Sequence, residues 1–192
     1  MHPGEILGTV AVLLVLAALG GLWLSIYNSL VALKNSVSRS WANIDVLLKQ
    51  RHDELPKLVK TCEGYMQHER AVFDKLSEAR GALLRAQSVA QRAEAENLLT
   101  KALGQIFAVA EAYPDLKANQ GFLQLQSRIS DLESQIADRR ELYNDTVAIF
   151  NTRLGQIPDK WVAAWLALTP ADLFHAAPED REDVEIKFAM AS

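Results

Sequence analysis

Apolar residues recur at helical spacing along the chain from Tyr27 to about Leu84. One set of positions is Leu30, Val37, Ile44, Arg51, Leu58, Tyr65, Val72 and Ala79. A companion set, four residues on, is Lys34, Trp41, Leu48, Leu55, Cys62, Glu69, Leu76 and Leu83. Most of these residues are apolar or small, and they share one face at the period of packed helices. The pattern predicts one long helix. Pro56 interrupts it chemically, because proline lacks an N–H and crowds the preceding turn. The seam nevertheless keeps step across Pro56, which favours a single helix with a kink near Arg51–Glu54. The alternative is a break, with Asp53 as N-cap of a new helix in which Pro56 is harmless. A continuous helix of this length would extend roughly 85 Å. It needs a partner for its apolar stripe.

Before this seam the hydrophobic residues no longer alternate with polar ones. Ile6 to Tyr27 carries no charge, and roughly 20 apolar residues span the hydrocarbon core. No Lys or Arg precedes the run, and it is longer than a usual signal core, so an uncleaved transmembrane helix is expected over residues 1–27. Trp23 and Tyr27 are placed at one membrane interface. Lys34 and Arg39 follow the span, which leans the remaining chain toward the cytoplasm. Ala17, Gly21, Ser25 and Ser29 recur every four residues, a spacing that lets two helices approach closely in lipid.

Past Gly81 and a turn at Gln87–Ser88, Ser88 is expected to cap a second helix ending at Tyr113. Its face is Ala95, Leu98, Leu99, Ala102, Leu103, Ile106, Phe107, Ala110 and Tyr113. Pro114 terminates it and a short connection follows. A third helix is predicted from about Gly121 to Leu154, with Phe122, Leu125, Ile129, Leu132, Ile136, Tyr143, Val147, Phe150 and Leu154 as its stripe. Arg51, Glu69 and Arg139 interrupt the seams. A charge there is costly unless paired, so these residues are expected either to meet partners and fix helix register or to send their heads to water. Asp159 to Leu168 reads as a short amphipathic helix with Trp161 and Trp165 one turn apart. It could cap the bundle or lie in the membrane interface. Residues 178–192 form an acidic tail. The domain reading is therefore an anchor over 1–27, a helical bundle over 28–157, an amphipathic helix over 158–177 and the tail.

Composition narrows the function. The 192 residues carry a net charge of −4, which argues against nucleic acid as a partner. A single cysteine, Cys62, excludes an intrachain disulfide and a cysteine-based zinc cluster. No phosphate loop or dinucleotide fingerprint occurs. His68-Glu69 opens like a zinc-protease helix motif, but Val72 stands where the second histidine belongs. His2, His52, His68 and His175 are scattered. No catalytic constellation and no cofactor are expected.

Several ordered blocks resemble the LemA family of bacterial membrane proteins. They are YNSLVALKNSV, SWANIDVLLKQRHDELPKLV, GYMQHE with SEARGALL, the stretch from AEAYPDLKANQGFLQLQ to YNDTVAIFN, and IPDKWVAAWLALTPADLF. The resemblance covers nearly all of the chain after the anchor. It implies a transmembrane or lipid-anchored N-terminus followed by an antiparallel helical bundle, and no known enzymatic activity. Members are linked to envelope stress and membrane remodelling, and some are similar to a magnetosome-membrane protein. Membrane metalloproteases and TPM-type domain proteins are the partners it suggests. The family usually has Arg-Arg before the proline segment and Asn after it, where this chain has Gln50-Arg51 and Lys57.

These observations predict an all-α protein: a single-pass helix in the bacterial cell membrane that continues into a coiled-coil-like antiparallel bundle. If the second helix leaves the stripe from Leu30 to Leu48 bare, that surface should join copies of the chain. The expected oligomer contacts are then Ala17, Gly21, Ser25, Leu30, Val37 and Trp41, and the expected membrane-interface residues are Trp23, Tyr27, Trp161 and Trp165. The function so predicted is a membrane-anchored oligomeric scaffold. The alternative is an adaptor or regulator of a membrane protease or another membrane complex.

Overall fold

A computed structural model describes residues 3–174 of the chain. The acidic tail, His2 and His175 lie outside the described residues, and the segment 158–177 is described as far as Phe174. The described chain is all-α. Its helices are α1 (Pro3–Glu63), α2 (Arg70–Arg85), α3 (Val89–Ala110), α4 (Pro114–Lys117), α5 (Gln120–Gly155) and α6 (Asp159–Trp165).

α1 runs for 61 residues without interruption and contains Pro56. The missing proline N–H leaves the His52 carbonyl without its helical donor. The neighbours on the packed face compensate, because Leu55 and Leu58 are fully buried. Asp53 therefore opens no new helix. The expected extent is corrected at the other end: α1 stops at Glu63, well short of Leu84. The Cys62 carbonyl accepts from both Tyr65 N and Met66 N, each at 2.9 Å, which closes the helix at Gly64–Tyr65. Met66 is buried in this turn, while Tyr65 lies outside the core. The seam positions Leu76 and Ala79 are buried as expected, but on α2. The six-residue connection happens to preserve the apolar spacing, so the pattern alone could not reveal the break.

Contacts divide the chain into two compact units. One joins α1 up to Val46 with Asp138–Asp172. The other comprises Leu47–Ala137 and the described residues from Leu173. The core of the second unit gathers Leu55, Leu58 and Cys62 of α1, Leu76 and Ala79 of α2, and Leu99, Leu103, Ile106 and Ala110 of α3. Leu116 of α4 and Phe122 and Ile129 of α5 complete it. Burial pushes the Cys62 thiol up to about 11, so it stays protonated at neutral pH. Ser88 caps α3 as expected, its hydroxyl accepting from Gln91 N at 3.2 Å. Asn119 performs the same service for α5, accepting from Phe122 N at 3.1 Å. Pro114, expected only as a terminator, stands at the start of α4, where a missing N–H costs nothing.

In the first unit, the core of the α1–α6 junction consists of Ile26 and Leu30 against Val162 and Ala163. α6 ends in a Schellman arrangement. Ala167 N donates to Ala164 O at 3.1 Å and Leu168 N to Ala163 O at 3.0 Å. The turn requires a left-handed residue, and Ala167 takes it at φ 50°. An L-alanine there costs about 1 kcal/mol relative to glycine. Ala167→Gly is therefore expected to stabilise the full chain by about 0.5–1 kcal/mol, read as a shift in the urea midpoint in detergent micelles. An unchanged or lower midpoint would contradict the strain.

Candidate functional site

The first 23 residues of α1 expose their large apolar side chains. Leu7, Leu13, Leu14, Leu16, Leu22 and Leu24 are all more than half exposed. The one helix of the described chain long and apolar enough to cross a membrane is this segment of α1, and none of its most apolar window is buried. Ala17, Gly21 and Ser25 are exposed on it, and a Cβ added at Gly21 would meet nothing within 4 Å.

Burial begins at Ile26 and Leu30, covered by Val162 and Ala163 of α6. Covering each such side chain contributes roughly 1.5–3 kcal/mol. The opposite face of α6 stays open, with Trp161 61% and Trp165 68% exposed. The Trp165 ring meets the Trp23 ring edge-on at 6.2 Å and the Tyr27 ring at 6.3 Å. The structure thus brings Trp23, Tyr27 and Trp165 together at the end of the exposed span, with Trp161 one turn from Trp165. The expected capping role is met by the Val162–Ala163 face, while the other face carries the two exposed tryptophans.

Three side-chain devices hold α6 and the segment after it in place, and none was foreseen. Arg153 near the end of α5 forms an ion pair with the mostly buried Asp159 at the start of α6. Asn151 uses both halves of its amide on Ala171, donating through Nδ2 to the carbonyl and accepting at Oδ1 from the N–H, each at 2.9 Å. Tyr143 Oη donates to the Asp172 carbonyl at 2.8 Å. Burial, then the Asp172 charge, raises the Tyr143 phenol above its ordinary value, so it remains a donor. The Trp41 ring lies 5.5 Å from the Tyr143 ring.

Leu30 is fully buried within the chain, and Val37 and Trp41 are half-buried. The stripe beginning at Leu30 is consequently not bare: Ile44 and Leu48 are buried too.

Of the three seam charges, Arg51 is 1% exposed, Glu69 is half-buried and Arg139 is exposed. Glu69 accepts a hydrogen bond from Tyr113 Oη at 3.2 Å. Burial, with help from Glu69, raises the Tyr113 phenol. Arg51 of α1 forms ion pairs with Glu96 of α3 and Glu133 of α5, and donates to Thr100 Oγ1 at 3.0 Å. Its Nε–H is buried without an acceptor. Burial raises the Glu96 carboxyl above its ordinary value, and the Arg51 charge works against that rise. The sequence reading missed Glu96. The signal available was its place at the head of the row Glu96, Leu99, Leu103, Ile106 and Ala110, all buried on α3, which marks it as a seam charge but not as the partner of Arg51. Among the described residues, no group of three His, Cys, Asp or Glu side chains could hold a metal ion.

The model of the LemA family matches residues 40–188. The chain belongs to the LemA family. Protein LemA of Metamycoplasma hominis is 26% identical over 159 residues, covering 82% of this chain and 73% of the relative. Magnetosome protein MamQ of Magnetospirillum gryphiswaldense is 22% identical over 178 residues, covering 79% of this chain. This LemA-family chain spans 65% of the length of that MamQ. Magnetosome protein MamQ 2 of Paramagnetospirillum magneticum is 23% identical, covering 92% of this chain and 74% of the relative.

The ion cluster yields a stability prediction. Arg51→Leu leaves the Glu96 carboxylate buried without its cation and should cost about 3–5 kcal/mol. Arg51→Leu combined with Glu96→Leu should recover most of that loss, since an apolar replacement of a buried pair is often neutral. In Arg51→Leu alone, the Glu96 carboxyl is raised further in the folded state. A carboxyl raised on folding is favourable when protonated, so the deficit should grow as pH rises above the ordinary value of 4.5. Urea unfolding of the full chain, followed by circular dichroism at several pH values, measures all three quantities.

Proposed function

We propose that the chain is a membrane-anchored, non-enzymatic scaffold that organises or supports a bacterial cell membrane. The observation that carries this reading is the junction at Ser25–Leu30. The exposed apolar segment of α1 continues without a break into a packed face, and α6 holds two tryptophans outward beside Trp23 and Tyr27. Tryptophan and tyrosine favour the boundary between hydrocarbon and headgroups. A chain built in this way transmits the orientation of its anchor directly to the helices packed below it. Family membership and the magnetosome name of MamQ relatives support a place at membranes. Lys34 and Arg39 after the span favour a cytoplasmic position for the remaining helices.

Self-association belongs to the same proposal, through the small-residue face Ala17, Gly21 and Ser25. This face is exposed along the apolar segment and lets helices approach in lipid. Leu30 has no exposed surface to contribute.

A second reading, an adaptor for a membrane protease or a TPM-type domain protein, is favoured by Leu142 and Ile149 of α5. They lie one heptad apart and about half exposed, as an apolar strip for a partner. Stoichiometric co-purification with a protease, in the absence of self-association, would support it over the scaffold.

The scaffold reading is tested in vesicles. With Trp23 and Trp41 replaced by Phe, the fluorescence of Trp161 and Trp165 should be quenched more strongly by a label near the headgroups than by one at the bilayer centre. Gly21→Cys in a Cys62→Ala background should cross-link between copies, and Leu30→Cys should not. Unquenched tryptophans would remove the interfacial role of α6, and a strictly monomeric Gly21→Cys would remove the oligomer.

A further inference from the structure

A groove of about 270 Å³ lies beside the aromatic cluster, lined by Lys34, Val37 and Ser38 of α1, Phe150 of α5 and the segment Ala167–Ala171. It is smaller than the roughly 300–1,000 Å³ of pockets that enclose a whole drug-sized ligand, so it suits a headgroup and not an entire lipid. Its lining combines apolar surface from Val37, Phe150 and Pro170 with one cation and the hydroxyls of Ser38 and Thr169. Lys34 is exposed and makes no ion pair among the described residues. Asp159, the acid at the start of α6, is already paired with Arg153.

Position supplies the decisive argument. Tyr27, Lys34 and Trp41 follow one another at seven-residue spacing, so they share a face of α1. Tyr27 carries Trp165 on that face, and Lys34 opens into the groove two turns further on. Two turns advance about 10 Å along the helix. A helical side chain leans back toward the N-terminus, and a lysine stem can carry its ammonium further toward the membrane. The polar headgroup layer is roughly 5–7 Å deep on each side of the hydrocarbon core. With Trp23 and Tyr27 at the hydrocarbon boundary, the ammonium is delivered to the depth of lipid phosphates.

We infer that this groove is a binding site for the phosphate headgroup of an anionic phospholipid, with Lys34 as the charged donor and Thr169 as a neutral one. The inference rests on the membrane reading above and adds a ligand class to it. The apolar side of the groove would face the glycerol backbone, and the cation the phosphodiester. A phosphate ester free in solution shares that chemistry, but it lacks the bilayer that positions a lipid at this depth.

Native mass spectrometry of the full chain released from detergent micelles tests it, with phosphatidylglycerol, phosphatidylcholine and glycerol 3-phosphate as probes. One saturable phosphatidylglycerol adduct is expected, at least about tenfold tighter than phosphatidylcholine. Loss of one charge-assisted hydrogen bond in Lys34→Gln should weaken it about tenfold or more. Lys34→Arg should retain it, and Lys49→Gln, an exposed change elsewhere on α1, should leave it unchanged. Circular dichroism of each variant establishes that it is folded, and protection of Lys34 from acetylation by phosphatidylglycerol in the unmodified chain reports the same contact without any substitution. Equal binding by Lys34→Gln, no preference over phosphatidylcholine, or saturation by glycerol 3-phosphate alone would each overturn the assignment. If the adduct is missing while Trp161 and Trp165 are still quenched in vesicles, the groove assignment falls and the membrane reading stands.

Discussion

Between Ser25 and Ile26, a single helix passes from full exposure to burial on one face. Before that point α1 exposes its large apolar side chains on every side; after it one face is buried, as in a helix packed against neighbours. The rest of the first unit serves this change. Val162 and Ala163 must cover Ile26 and Leu30, because an uncovered pair would leave two large aliphatic side chains bare where the packed face begins. α6 must therefore return to α1 at a fixed height, and its remaining face is left pointing outward with two tryptophans. The aromatic cluster is thus a geometric product of covering two aliphatic residues.

Deeper in the chain a second constraint operates with opposite chemistry. Arg51 replaces an apolar residue at the seam and draws carboxylates from two other helices. Such a pair adds little net stability, because desolvating the charges costs about as much as their attraction returns. Its effect is on alternatives. Sliding α1 by one turn against α3 or α5 would leave Arg51 or Glu96 buried without a partner. Leu55 and Leu58, by contrast, could pack in more than one register. The charges select among arrangements that the leucines would tolerate.

Much of this was legible in the chain because helical periodicity survives translation into structure. The uncharged span, the seam from Leu30 to Cys62, the Ser88 cap and the stripe of α5 are all local or near-local patterns. The turn after Glu63 was not legible, because its six residues preserve the apolar spacing and only Gly64 marks it. Arg51 stood out as a charge on a seam, but its partners lie 45 and 82 residues away. No spacing rule links positions so far apart. The Asn151 and Tyr143 contacts were missed for a related reason: each engages a backbone group of a non-helical segment, and backbone groups leave no trace in composition.

The Asn151 amide has a further implication for the ageing of the molecule. Pro170 has no N–H to offer, so the neighbouring Ala171 supplies both a donor and an acceptor to α5, beside the Tyr143 bond to the Asp172 carbonyl. Only an amide can answer both at once, since a carboxylate accepts and never donates. Spontaneous deamidation at position 151 would keep the shape of the side chain almost intact while turning its donor into a second, negatively charged oxygen aimed at a carbonyl. One lost ammonia would turn a two-point clasp into a one-point contact and leave the stretch that leads away from α6 leaning on the Tyr143 bond.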